Sequence, residues 1–199
     1  MAVNFSESKT KENLMRAFAG ESQARNRYTI AAERAEREGM YTIADIFRYT
    51  AEQERAHAER YYDLLREFSG ETIHIDGSYP VDQQISLAGL LRAAEHNERE
   101  EYEDVYQAFG DTATEEGFHE AASAFYLIAE VEHVHEERFA KLAELLEEGT
   151  YYGGGSVNKW ICTNCGYIHE GNQAPKYCPA CRHEQGYFLP YEFACYQGE

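Results

Sequence analysis

Cysteine is missing from the chain before Cys162, and proline is scarce, with four residues in 199. A fold held together by disulfides is therefore excluded for most of the chain. The stretches 1–79 and 81–174 contain no proline and are rich in Ala, Glu, Leu and Arg. This composition is typical of long helices, which proline would interrupt.

Basic residues are also few: 18 Lys and Arg stand against 36 Asp and Glu, a formal charge of −18. Nucleic acids and anionic membrane surfaces both require a basic face, so we expect neither as a partner. No apolar run approaches the ~20 residues of a membrane-spanning helix. The N-terminal segment MAVNFSESKT has no apolar signal core, so we expect a cytoplasmic protein.

The composition changes abruptly after Thr150, where the segment Tyr151-Tyr152-Gly153-Gly154-Gly155-Ser156 is typical of a linker. Beyond it, Gly, Pro, Cys and aromatic residues replace the helical composition. We therefore predict a helical domain over residues 1–150, a linker over 151–157 and a small second domain over 158–199.

Four apolar stripes at helical spacing run through the first domain, roughly over 14–31, 43–68, 87–108 and 118–146. Gly39 separates the first two helices, and Gly117 separates the last two. The connection over about 69–84 is long enough to cross a bundle. The fold class is therefore mainly α: a ferritin-like four-helix bundle with one long crossover, followed by a small metal-binding β domain.

Ionisable residues stand at the centre of every stripe, where a bundle core is normally apolar. They are Glu21, Glu54, His57, Glu98, Glu101, Glu132 and His135. An unpaired buried carboxylate costs many kcal/mol, and the stripes carry no Lys or Arg at these levels. Two divalent metal ions would supply the missing positive charge.

The two halves of the bundle repeat this pattern in register. Glu54 and His57 follow Gly39 by 15 and 18 residues (54 − 39, 57 − 39), and the pair at positions 132 and 135 follows Gly117 by the same numbers. Glu and His at i, i+3 share one helix face, so both can reach the same metal ion. Chance explains one such pair readily, but not two in register, each opposite a Glu-bearing helix.

Two competing ligand sets differ in register. Glu130 and His133 repeat the spacing, but they are rotated by about 200° away from the apolar stripe, so we reject them. Glu95 lies about one turn beyond the layer and ranks below Glu98 and Glu101. Its replacement of either residue remains open.

Two Cys-x-x-Cys motifs in the second domain, separated by 12 residues, indicate a four-thiolate metal site: Cys162, Cys165, Cys178 and Cys181. Zinc and a single iron suit such a site equally well when it stands alone. Iron is favoured beside a dinuclear redox centre, because the electrons need a source. Cys195 has no partner in the sequence, and we expect it to be a small buried residue.

The chain resembles the rubrerythrins over nearly its whole length. The motifs that carry the resemblance are AFAGESQARNRY from Ala17 to Tyr28, QERAH from Gln53 to His57, EHVHE from Glu132 to Glu136, and the two cysteine motifs, the first followed by Gly166-Tyr167. The resemblance implies a ferritin-like di-iron domain followed by a rubredoxin-like domain that binds one iron through four cysteines. Zinc is a substitute for that iron.

The resemblance also implies roles for individual residues. Glu54 and Glu132 would bridge the two non-haem irons, with Glu21 and Glu101 on one iron and Glu98 and His135 on the other. His57 would exchange with Glu101 as the redox state changes. Tyr28 and Tyr106 match tyrosines that hydrogen-bond within the family's site.

The activity implied is the reduction of hydrogen peroxide to water in oxidative-stress defence. The electrons would come from an NAD(P)H-dependent reductase or a rubredoxin and pass through the four-cysteine iron. A homodimer is implied, in which the small domain of one subunit serves the other. Two alternatives remain: a ferroxidase or iron-handling protein that uses dioxygen, and a metal-stabilised sensor or interaction protein.

Overall fold

A computed structural model describes residues 3–194 of the chain, and Cys195 lies outside them. The described residues form the helices α1 (Lys9–Arg37), α2 (Tyr41–Leu64), α3 (Leu87–Glu100), α4 (Tyr106–Glu116) and α5 (His119–Glu147). A π-helical turn, Glu101–Val105, joins α3 to α4, so that the two form the third rod of a four-helix bundle. The predicted mainly helical fold is therefore confirmed. No described helix is long and apolar enough to span a membrane.

The helix ends follow the local sequence. Ser8 caps the N-terminus of α1, where its hydroxyl accepts a hydrogen bond from the Lys11 N–H at 3.0 Å. Ser86 caps α3 in the same way, through a hydrogen bond from the Gly89 N–H at 3.1 Å. Gly39 and Gly117 adopt φ values of +73° and +88°, in the left-handed region where glycine carries no steric penalty. These two residues allow the reversals of the two helical hairpins.

The π turn interrupts what the sequence predicts as one regular third helix. It also explains a difference in spacing: Glu98 precedes Gly117 by 19 residues, whereas Glu21 precedes Gly39 by 18. A π turn closes i→i+5 hydrogen bonds and so takes in one more residue than an α turn. The π turn at Glu101–Val105 thus takes in the extra residue. The helix that follows it keeps its apolar face toward the core.

The crossover, residues 69–86, is attached to the bundle by polar contacts. The Asp82 carboxylate accepts hydrogen bonds from the Arg27 guanidinium and from the Asn97 amide, both at 2.7 Å. Arg27 belongs to α1 and Asn97 to α3, so this single carboxylate fixes the crossover to two helices.

The bundle core consists of two apolar clusters. One contains Leu14, Tyr61 and Phe125, and the other contains Phe47 and Phe139. On every rod of the bundle, the predicted metal ligands lie between the residues of one cluster and those of the other. The polar layer therefore divides the core across its full width.

The small domain contains an antiparallel sheet of order β2-β1-β3, with strands β1 (Lys159–Cys162), β2 (Ile168–Glu170) and β3 (Phe188–Pro190). It packs against the bundle end that carries Gly39. The rings of Tyr41 and Tyr187 lie 4.5 Å apart, and the hydroxyls of Thr42 and Tyr151 are hydrogen-bonded at 2.9 Å. The domain boundaries at 150 and 157 stay predictions.

The closest approach between the bundle and the small domain yields a prediction. A Cβ atom added at Gly186 would overlap with the carbonyl oxygen of Gly39, so Gly186→Ala cannot keep this contact. We expect faster proteolysis of the variant within residues 153–156, with the absorption of the four-cysteine iron site retained. Gly171→Ala is the control, because its Cβ would meet only the His169 ring, at 3.0 Å. Equal cleavage of the two variants would contradict the docked arrangement.

Candidate metal centre

The first half of the polar layer is a group of four side chains from three helices: Glu21, Glu54, His57 and Glu132. One ligand atom from each lies within 4.8 Å of the others. The Nδ1 atom of His57 is 2.9 Å from Glu132 Oε1, 3.4 Å from Glu54 Oε2 and 3.7 Å from Glu21 Oε2. The three carboxylates are fully buried, and the His57 side chain is 11% exposed.

The second half repeats the first around His135. Its members, Glu54, Glu98, Glu132 and His135, also place one ligand atom each within 4.8 Å of the others. The Nδ1 atom of His135 is 2.8 Å from Glu132 Oε2, 3.1 Å from Glu54 Oε1 and 3.5 Å from Glu98 Oε2. This group is buried throughout.

Glu54 and Glu132 belong to both groups, and each divides its two oxygens between the two halves. Oε2 of Glu54 and Oε1 of Glu132 face His57, whereas the other oxygen of each faces His135. Each of these carboxylates can therefore contact two metal ions at once. The remaining side chains face one half only, which gives the dinuclear arrangement that bundle carboxylate proteins use.

The polar atoms that face the centre have no hydrogen-bond partner among the described residues. They are Oε2 of Glu21 and Glu98, both oxygens of Glu54 and Glu132, and Nδ1 of His57 and His135. Buried polar atoms are normally satisfied, and leaving one unpaired costs about 1–3 kcal/mol. Carboxylate and imidazole ligands of this kind suit iron and manganese, so the residues fit two divalent ions.

The ionisation of these groups reflects their crowding. Burial raises the pKa of Glu21 to about 8 and that of Glu132 to about 7. Burial alone would lower the pKa of His135, but the facing carboxylates of Glu132, Glu54 and Glu98 outweigh it and raise the pKa to about 12. These shifts favour the protonated forms of the three side chains, and metal binding must displace the protons.

Tyr28 and Tyr106 lie beside the centre and are buried. The Tyr28 hydroxyl donates a hydrogen bond to Glu98 Oε1, and the Tyr106 hydroxyl donates one to Glu21 Oε1. Each tyrosine thus occupies one oxygen of a carboxylate and leaves Oε2 directed at the centre.

Sequence reasoning missed two further residues. The Gln53 side-chain oxygen lies 3.2 Å from His135 Nε2 and accepts a hydrogen bond from Arg138. The Gln53 oxygen therefore accepts a hydrogen bond from the Nε2–H group of His135. Nδ1 of the same ring is then free to bind a metal ion. The buried Tyr61 hydroxyl has no hydrogen-bond partner among the residues described, and Glu21 and Glu132 raise its pKa further after burial. Spacing distinguishes neither residue from ordinary core or surface positions.

Glu101 is absent from both groups of four, although the resemblance implies that it is a ligand. It begins the π turn and is half-buried beside the layer. Burial, followed by the charges of Glu21 and Glu98, raises its pKa well above the usual value. The structure thus places His57 at the centre and Glu101 next to it.

The competing residues have other partners. Glu95 accepts hydrogen bonds from Arg92 at 2.7 Å and from Arg99 at 2.6 Å. His133 lies 3.0 Å from Glu136 and stacks on the ring of Tyr102. Glu130 is exposed on the outer face of α5. None of the three reaches the centre, whereas Glu98 and His135 do.

The four predicted cysteines form a second site in the small domain. The Sγ atoms of Cys162 and Cys181 are 3.7 Å apart, as are those of Cys165 and Cys178. A disulfide requires about 2.05 Å. Four sulfurs arranged tetrahedrally at about 2.3 Å from one metal ion lie about 3.8 Å from one another. The spacing therefore fits a single bound metal ion.

Comparisons with known proteins identify relatives for the part of the chain that holds each site. Residues 12–143 match the family model described as Rubrerythrin, and residues 160–189 match that of the rubrerythrin rubredoxin-like domain. The chain is 49% identical to rubrerythrin-1 of Clostridium acetobutylicum and 46% identical to rubrerythrin of Clostridium perfringens, in each case over 91% of this chain and 93% of the relative. It is similar in structure to nigerythrin in a mixed-valence state, with a TM-score of 0.61, 32% identity, and 96% and 94% of the two chains covered.

The two histidines of α5 allow a direct test of the ligand register. His135→Ala removes an imidazole that faces three carboxylates, so we expect the protein to lose at least one of its two bundle irons. His133→Ala is the matched control from the same helix and should keep both. Iron counted by elemental analysis, with the four-cysteine iron subtracted by its absorption, measures the difference. Equal iron loss in the two variants would show that the register is wrong.

Proposed function

The chain belongs to the rubrerythrin family, and from this we propose that it is a non-haem di-iron peroxidase that reduces hydrogen peroxide to water. The family is of the oxidoreductase type, with a di-iron carboxylate site and a rubredoxin-like four-cysteine site, and both sets of residues are present. The observation that carries the proposal is the pair of carboxylate–histidine groups joined by Glu54 and Glu132, in one chain with a four-thiolate site. A storage or sensing role would not require an electron-transfer site of four thiolates.

We assign the ligands from the contacts described above. Glu54 and Glu132 would be shared by the two ions, Glu21 and His57 would complete one half, and Glu98 and His135 would complete the other. Glu101, which lies next to the centre, would be a reserve ligand that exchanges with His57. Two ferrous ions bound here would act as Lewis acids and would supply the two electrons that cleave the O–O bond.

The protein side chains hold the centre and manage protons. Tyr28 and Tyr106 fix the orientation of Glu98 and Glu21 through hydrogen bonds, and Gln53 fixes the tautomer of His135. Burial and the charges of Glu21 and Glu98 raise the pKa of Glu101 well above its usual value, which favours the protonated form of this carboxyl beside the centre. This group can deliver the proton that the leaving oxygen requires.

The path of electrons follows from where the small domain packs. Glu54 lies 15 residues after Gly39, so the metal layer is about 22 Å along the bundle axis from the end where the small domain sits. Within one chain, the four-cysteine site is therefore separated from the layer by more than half of helix α2. This separation supports a head-to-tail homodimer in which the small domain of one subunit reduces the centre of the other. An NAD(P)H-dependent reductase or a rubredoxin would supply the small domain.

The choice of oxidant tests the proposal. We expect the anaerobically reduced, iron-loaded protein to be oxidised quickly by hydrogen peroxide and slowly by dioxygen, as followed by visible absorption of the four-cysteine iron in a stopped-flow instrument. Cys178→Ser is the control, because it removes the chromophore of the donor site and should stop turnover with an external reductase. Faster oxidation by dioxygen would favour the ferroxidase alternative. A colourless cysteine site would favour structural zinc.

Complementation between subunits tests the electron path. Cys178→Ser chains lack the donor site, and Glu54→Ala chains lack a bridging carboxylate. If electrons pass between subunits, each heterodimer formed by refolding the two variants together should have one working centre and up to about half of the activity of a wild-type dimer. The variants refolded separately and then mixed are the control. Activity no greater in the co-refolded sample would show that transfer stays within one chain.

A further inference from the structure

A cavity of about 310 Å³ adjoins the metal layer on the side of the crossover. Its inner walls are α1, the end of α3 and the π turn with α4, and residues 77–80 of the crossover line its outer side. The lining residues that matter here are Ala17, Gly20, Tyr79, Glu101, Tyr106 and Phe109.

The cavity wall is largely apolar and includes a few polar side chains. Glu101 and Tyr106 belong both to the cavity wall and to the surroundings of the metal centre, where Tyr106 donates its hydrogen bond to Glu21. Ala17, Phe109 and the ring of Tyr79 supply apolar surface in the same cavity. A molecule in the cavity could therefore place a polar head at the centre and an apolar tail against these side chains.

The volume is far greater than hydrogen peroxide requires. A water molecule takes up about 30 Å³, and hydrogen peroxide has only one heavy atom more, so the cavity exceeds the substrate several-fold. Apolar space of this size is suited to the organic part of a larger substrate.

Gly20 contributes to this space at a cost in stability. A glycine within a helix costs roughly 0.5–1 kcal/mol relative to alanine. A Cβ atom at Gly20 would meet only Cε1 of Tyr79, at 3.7 Å, which is an ordinary contact. Helix packing therefore does not require glycine at this position, and its effect is to widen the cavity.

Tyr79 forms a fixed roof over the cavity. Its hydroxyl donates a hydrogen bond to the carbonyl oxygen of Arg16 at 3.0 Å. The guanidinium of Arg16 in turn binds Asp76, with 2.6 Å to its carboxylate and 3.0 Å to its carbonyl oxygen. The crossover is thus attached to α1 on both sides of Gly77, so the ring of Tyr79 limits the length of any tail.

We propose that this cavity binds the organic tail of small alkyl or aryl hydroperoxides, and that Gly20 and Tyr79 set the size of tail that is accepted. The hydroperoxide group would lie at Glu101 and Tyr106. Its O–O bond breaks as it takes up two electrons and two protons, giving one alcohol and one water. The inference rests on the proposed function, which supplies the electrons from the same reduced centre.

The experiment compares cumene hydroperoxide with hydrogen peroxide for the iron-loaded, full-length protein. We expect the wild type to reduce both. In Gly20→Leu, whose side chain fills the cavity toward Tyr79, the ratio of kcat/KM for cumene hydroperoxide to that for hydrogen peroxide should fall at least tenfold. Thr29→Leu places the same side chain at an exposed position of α1 outside the cavity lining and is the matched control, with a ratio within about twofold of the wild type.

A binding measurement separates this inference from the proposed function. The product alcohol, 2-phenyl-2-propanol, is not reducible and should bind the oxidised wild-type protein in saturation-transfer NMR but not Gly20→Leu. If neither peroxide is reduced, the proposed function fails, and the alcohol alone decides whether the cavity is a ligand site. Reduction of hydrogen peroxide alone, or an unchanged ratio in Gly20→Leu, would overturn the inference.

Discussion

The need to balance the charge of buried carboxylates governs this structure. Glu21, Glu54, Glu98 and Glu132 lie in one layer that no solvent reaches, and as carboxylates they carry four negative charges. Two divalent ions neutralise these charges and leave both histidines neutral, as metal ligands must be. Protons are the only compensation that the side chains themselves provide, which explains the raised pKa values of Glu21 and His135. The layer is thus stable only with bound cations, either protons or metal ions.

The bundle meets this requirement through an internal repeat that is not fully symmetric. The two Glu-x-x-His pairs stand at equal distances from their hairpin glycines, so their side chains meet across the axis. The third rod differs from the first by one residue, which the π turn at Glu101 absorbs. Glu101, which begins that turn, has no counterpart on the first rod and lies beside the centre. The same turn lines the cavity beneath the crossover, so the asymmetry of the metal layer and the cavity have a common structural origin.

The small domain shares an apolar cluster with the bundle and yet lies far from the metal layer. Trp160 and Cys178 belong to the same buried cluster as Phe47 and Phe139. This packing fixes the position of the four-cysteine site at the Gly39 end of its own bundle. The apolar contacts that hold the four-cysteine site at that end therefore also keep it apart from the metal layer of its own chain.

The sequence by itself determined the bundle, the four-cysteine site and the choice of His135 over His133, because helical spacing and distance from Gly117 are local properties. It also identified Glu98, although it left Glu95 open, since one turn along a helix cannot be resolved without knowing which arginines lie nearby. Only the tertiary structure showed that Arg92 and Arg99 donate hydrogen bonds to Glu95. It also showed that His57 rather than Glu101 reaches the centre, and that Gln53 and Tyr61 lie next to it. The cavity also depends on the path of the crossover, which no periodic pattern encodes. Contacts between residues distant in sequence decide these features, and spacing along one helix cannot predict them.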